Sequence, residues 1–86
     1  MSKKEIKDRE SEKIETIKLQ IQIGTRIRQL REKKGLTQTE LAIRMNERDR
    51  QVVQRLEQGK TNCSINLLRI TAEALRVNIQ DFFLMK

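Results

Sequence analysis

Leu36-Thr37-Gln38-Thr39-Glu40-Leu41-Ala42 is the stretch that decides how this chain folds. Thr37 and Glu40 stand at capping-box spacing, where a Thr hydroxyl and a Glu carboxylate satisfy orphan amides at a helix start. Gly35, immediately before, suits the left-handed residue that ends a preceding helix. Leu41, Ala42 and Met45 give the new helix an apolar face, and the small Ala42 lets a second helix approach closely. Further on, Val52-Val53-Gln54-Arg55-Leu56-Glu57-Gln58-Gly59 repeats the pattern of a short amphipathic helix stopped by Gly. The expectation is two short helices joined by a tight turn.

Working outward, Leu19, Ile23, Ile27 and Leu30 recur at i, i+4, i+8 and i+11, a helical stripe that fits packing into a core. The spacing predicts a first helix from about Ile17 to Lys34, an earlier start being allowed. Gly24 inside it costs about 1 kcal/mol relative to Ala without forbidding the helix. Ile14, Ile17 and Ile21 lie on a neighbouring face with the a/d spacing of a short coiled seam. Residues 1–16 are polar and of mixed charge, with only Ile6 and Ile14 apolar after Met1; they read as a charged N-terminal extension, either a frayed or disordered arm or an extension of the helix.

Downstream, the second helix is expected over Gln38 to Met45, with Asn46 taking the left-handed conformation after it. Asp49 is placed to cap a third helix, Arg50 to Gln58. Gly59 to Cys63 is a loop, and Ser64 caps a fourth helix. Its inward stripe is Ile65, Leu68, Ala72 and Leu75, flanked by Leu67, Ile70 and Thr71. Asn78 and Asp81 frame a last short helix bearing Phe82, Phe83 and Leu84. The reading is all-α: five short helices around one apolar centre over residues 17–86, with no strand.

Eighty-six residues allow one domain with a small core, built here from Ile, Leu, Val, Met and two Phe. The net charge of +7 is unevenly placed. Residues 1–22 hold six basic and five acidic side chains, whereas Arg26 to Lys60 carries ten basic against five acidic. A positive field there raises encounter rates with phosphate polyanions, although basic surfaces are also common in proteins that bind none. The single Cys63 excludes an intramolecular disulfide, and with no His a zinc site would have to use carboxylates alone. No metal or cofactor is expected. No segment reaches the roughly 18 apolar residues of a membrane span, and the start is charged rather than signal-like, so a cytoplasmic protein is expected.

Ile27-Arg28-Gln29-Leu30-Arg31-Glu32-Lys33-Lys34-Gly35-Leu36-Thr37-Gln38-Thr39-Glu40-Leu41-Ala42, then Leu56 to Asn62, then Leu68 to Val77, together resemble the Cro/CI-type helix-turn-helix family. This is the lambda-repressor-like or XRE class of bacterial and phage regulators, and the resemblance covers about residues 22–84. It implies a helix-turn-helix at about residues 37–58 whose third helix enters the major groove of DNA. Three departures stand out. One extra residue lies in the turn Asn46–Asp49; Glu47 and Arg48 occupy that turn where a small apolar residue is usual; and Cys63 replaces the usual Pro.

With Val53 and Leu56 buried, helical geometry leaves Arg50, Gln51 and Gln54 facing outward, with Arg55 a quarter-turn further round. Arg suits guanine O6 and N7, and Gln suits adenine N6 and N7, which makes these four the base-reading candidates. Gln38 is similar to the family's Gln that bonds a phosphate and braces the third helix. Thr37, Thr39, Arg48, Lys60, Thr61 and Asn62 flank the same surface and are further phosphate candidates, Arg48 and Asn62 foremost. The resemblance gives Arg31 and Glu57 a structural role, as a partly buried ion pair between the first and third helices. No catalytic residue is expected, since no His is present to activate Cys63.

The function implied is a sequence-specific DNA-binding transcriptional regulator, a repressor or autoregulator, acting as a homodimer on a near-palindromic operator. Phe82, Phe83 and Leu84 are the dimer-interface candidates; adjacent residues point about 100° apart on a helix, so one ring is expected inside the domain and the other in the interface. The competing reading is a protein-interaction adaptor that keeps the fold and binds through the Ile14/Ile17/Ile21 seam. An outward set of Arg50, Gln51, Gln54 and Arg55 argues for the regulator, because an adaptor needs no base-reading face.

Overall fold

The computed structural model describes residues 3–84, with side chains from Glu10 onward, so the side chain of Ile6 lies outside the described part. Four α-helices follow one another: α1 (Lys3–Lys33), α2 (Gln38–Arg44), α3 (Gln51–Glu57) and α4 (Ile65–Leu75). A single 3-10 helix, Ile79–Phe83, follows them, and no strand occurs among the described residues. The last short helix expected here is a 3-10 turn and not a fifth α-helix. Asn78 and Asp81 do form its capping box, but the segment has five residues, too few to repay α-helical nucleation.

All four α-helices end in the same way. Gly35, Asn46, Gly59 and Arg76 carry positive φ, and they are the only such residues described. At each one the amide donates to the carbonyl three residues back, and the following amide reaches back five, as in Leu36 to Arg31 and Glu47 to Ala42. This Schellman pairing satisfies the last carbonyls of the helix and turns the chain sharply. The helix starts are equally local. Thr37 and Glu40 exchange both capping-box bonds, and the Ser64 hydroxyl accepts from the Leu67 amide. The Asp49 carboxylate accepts from the Gln51 amide at 2.9 Å and so caps the start of α3 from one residue ahead of Arg50, which makes no side-chain cap bond itself.

α1 packs against α3 and the terminal turn, α2 against α3 and α4. Ile27, Leu41, Val53, Leu56, Leu75 and Phe82 are fully buried at the centre, each contributing about 1.5–3 kcal/mol of apolar burial. Thr71 is buried with them because its hydroxyl donates to the Leu67 carbonyl at 2.8 Å. The Arg26 guanidinium donates to the Asp81 carbonyl at 2.9 Å and ties the terminal turn to α1.

Two apolar assignments change. Leu19 is 47% exposed, since α1 leaves the body one turn before the buried Ile23. Ile65 is 79% exposed, since it follows the cap directly and sits ahead of the point where α4 enters the core at Leu68. α1 is 31 residues long, about 46 Å at 1.5 Å per residue, and sets the 49 Å long axis of the molecule. The helix thus takes the earlier start that the spacing allowed, well before Ile17. Ile14, Ile17 and Ile21 project with the helix and are about half exposed.

Arg76 is the one helix terminator whose side chain opposes its conformation, at φ 56° and ψ 45°. Arg76→Gly relieves a left-handed strain of about 1–2 kcal/mol, partly offset by the greater freedom of Gly in the unfolded chain. A net gain of roughly 0.5–1 kcal/mol is expected by chemical denaturation, and an unchanged or lower midpoint would contradict it.

Candidate nucleic-acid interface

α3 has one face committed to the protein and one left to solvent. Val53, Leu56 and Glu57 are buried and Val52 is partly covered. Arg50, Gln51 and Arg55 are exposed, and Gln54 is half-buried at the edge. The helix therefore presents Arg and Gln side chains outward, the residue types whose donors match the major-groove edges of guanine and adenine. Gln58, at the end of α3, shares this exposed side: it lies four residues beyond Gln54 and seven beyond Gln51. Gln58 is not among the base-reading candidates drawn from the sequence, although its spacing from Gln54 would have found it.

The phosphate candidates surround α3 on the flanking elements. Thr39, Arg48, Lys60 and Asn62 are exposed, and Thr61 is half-buried. Thr37 is exposed, but its hydroxyl and amide are engaged with Glu40 in the α2 capping box. Those bonds hold the Glu40 carboxyl below the usual carboxylate range. Asn62 accepts a long 3.4 Å bond from the Gln20 amide, so the projecting part of α1 reaches the α3–α4 loop. Cys63 is half-buried beside this loop; its thiol donates to the Thr61 carbonyl at 3.5 Å, and burial pushes the thiol up and away from reactivity. Among the described residues no His/Cys/Asp/Glu group could hold a metal ion, and no helix is long and apolar enough to cross a membrane.

A polar notch between α1, α2 and α3 is lined by Arg28, Arg31, Gln38, Gln54, Glu57 and Gln58. At its floor the Arg31 guanidinium donates to Glu57 at 2.6 Å through Nε and 3.1 Å through Nη2. Its Nη1 donates to the Leu36 carbonyl at 2.8 Å, and the Gln38 amide donates to the same Glu57 carboxylate at 3.1 Å. Gln38 thus braces α3 through Glu57. The Arg31–Glu57 hydrogen bond holds the Arg31 proton more tightly than usual, against the opposing effect of burial. Arg28, absent from the candidates drawn from sequence, stands at the rim and pairs with Glu32 at 2.6 Å. Only the folded arrangement of three helices brings it beside Gln38 and Gln54.

The Arg31 and Glu57 side chains are only 11% and 3% exposed, so removing one strands the other in a poorly solvated place. Arg31→Met is expected to cost about 3–5 kcal/mol by denaturation, with the Arg31→Met/Glu57→Met pair losing clearly less than the two single losses summed. Additive losses would contradict a coupled buried pair.

This geometry has counterparts. A family model described as helix-turn-helix domain matches residues 22–81. An uncharacterized HTH-type transcriptional regulator of Archaeoglobus fulgidus is 42% identical over 60 residues, covering 70% of this chain and 84% of that protein. Among solved structures, the restriction-modification controller protein C.AhdI from Aeromonas hydrophila superposes with a TM-score of 0.69 at 35% identity, over 73% of this chain and 94% of that one. The clp gene regulator ClgR from C. glutamicum gives 0.71 at 29% identity, over 76% and 83%. An outward Arg/Gln helix on a capped helix pair, an internal ion pair beneath it, and these likenesses agree: the chain belongs to the XRE-like helix-turn-helix family of DNA-binding transcriptional regulators.

Proposed function

We propose that this regulator recognises a specific operator by laying α3 in the major groove, with Arg50, Gln51, Gln54 and Arg55 reading bases. The observation that carries the proposal is the composition of α3: its sole carboxylate, Glu57, is buried and neutralised by Arg31, while its solvent side bears Arg and Gln. A helix so built meets a polyanion without a free acidic side chain of its own. Thr37, Gln38, Thr39, Arg48, Lys60, Thr61 and Asn62 supply the phosphate contacts that fix its register. The protein acts at a promoter, as a repressor or autoregulator in the cytoplasm; the names of the C.AhdI and ClgR relatives, a restriction-modification controller and a gene regulator, support that role.

We further propose a homodimer on a near-palindromic operator. Phe82 is fully buried and leaves the set of interface candidates, whereas Phe83 and Leu84 are 49% and 54% exposed side by side. That division is the one that adjacent aromatic residues on one short helix require. Phe83 and Leu84 form the two-fold contact, and two copies of α3 then read half-sites about one helical turn apart.

Three measurements follow from this reading. Duplex binding should fall by about a thousandfold or more between 50 and 200 mM salt if roughly six to ten phosphates are contacted, and a flat response would contradict it. Gln54→Ala should lower discrimination between operator and random DNA, while Lys60→Ala should weaken both alike; equal losses from both variants on both DNAs would mean that α3 is assigned the wrong face. In sedimentation at micromolar concentration, Phe83→Ser should give a folded monomer and Phe82→Ser a destabilised protein. A wild-type monomer both free and on DNA would reject the dimer.

A further inference from the structure

The backbones of α1 and α3 touch at a seam built from two glycines. A Cβ on Gly24 would lie 2.4 Å from the Leu56 carbonyl oxygen, 2.6 Å from that of Glu57 and 2.9 Å from the Glu57 carbonyl carbon. All three are main-chain atoms of the last turn of α3, so no side chain can swing aside to make room. One turn earlier on α1 the contact recurs in the opposite sense. A Cβ on Gly59 would lie 2.7 Å from Ile21 Cγ1 and 2.8 Å from its Cα, and Gly59 also holds φ +73°. Two turns later along α1, Arg31 grips the Glu57 side chain. The C-terminal end of α3 is thus pressed onto α1 at Gly24, braced at Ile21 and clamped at Arg31.

We infer that Gly24 is a positioning residue for base recognition: the absence of a side chain there sets the tilt of α3, and with it which base edges Gln54 and Arg55 reach. The inference rests on the proposal that α3 reads the major groove. An added methyl must open the α1–α3 contact by roughly 1 Å to restore ordinary carbon–oxygen separation. The other end of α3 is held by the Asp49 cap and the buried Val53, and so acts as a pivot. A shift of roughly 1 Å at one end of a helix about 10 Å long tilts it by about 6°. Recognition constellations tolerate only about 0.5 Å of displacement, so Gln54, Arg55 and Gln58 lose register while phosphate contacts from flanking elements persist. Gly24 itself touches no DNA in this arrangement.

The test uses the full chain and a duplex selected from a random pool by the wild-type protein. Competition against random duplex gives the discrimination ratio for wild type, Gly24→Ala, Ile21→Ala and, as a control, the exposed neighbour Thr25→Ala. Gly24→Ala, shown folded by circular dichroism, is expected to lose roughly tenfold or more in discrimination. A new selection should return an altered base preference, and the salt slope should stay unchanged. A purely structural role would lower the melting temperature and leave the selected sequence as it was; that outcome, or an unchanged ratio, overturns the inference. Should Gly24→Ala fail to fold, Ile21→Ala decides. It slackens the same seam without inserting an atom, so it is expected to lower discrimination in the same direction, and an unchanged ratio overturns the inference. A wild-type protein without preference for any duplex would instead remove the groove-reading proposal itself.

Discussion

A carboxylate at the inner edge of α3 is the constraint around which the rest of the domain is arranged. Glu57 is nearly inaccessible, and an ionised group in such a place is costly unless its lone pairs are met. Arg31 meets them from α1 and Gln38 from α2, while the third arm of the guanidinium closes on the Leu36 carbonyl in the α1–α2 connection. One charge therefore ties together the long helix, the turn after it and both members of the helix pair. Apolar burial at Ile27, Val53 and Leu56 supplies attraction without direction, and the polar cluster supplies the orientation of α3.

That arrangement also explains how so short a chain places α3 firmly. The helix has seven residues, too few to be stable in isolation. Its conformation is held by its ends: the Asp49 cap at one, and Gly59 with the glycine seam at the other. The side facing outward is then free of structural duty. The projecting half of α1 precedes residue 22, where the match to the family starts, and so extends the shared domain by a helical segment.

Much of this was legible in the sequence where its cause is local. Capping residues and left-handed terminators act over three to five residues, so Thr37, Glu40, Gly35, Asn46, Gly59 and Ser64 could be read directly. The inward residues Ile23, Ile27 and Leu30 followed from periodicity. Periodicity does not say where the body of the molecule ends, and for that reason Leu19 and Ile65 were placed inside when they lie outside. Gly24 shows a different limit: intrinsic propensity marks it as a defect in a helix, whereas packing against the Leu56 and Glu57 carbonyls makes it a requirement. Arg28 joins the candidate interface through the meeting of three helices, which no spacing along the chain encodes, whereas Gln58 shares the face of Gln54 by helical spacing alone. Arg76 in the left-handed region carried no signal, since its residue type disfavours that conformation.

Whether α3 occupies the major groove is read by methylation of the bound duplex with dimethyl sulfate. The reagent attacks guanine N7 in the major groove and adenine N3 in the minor groove. Protection of guanine N7 within each half-site is expected, while adenine N3 stays reactive. Full reactivity of every guanine N7 in a saturated complex would contradict it.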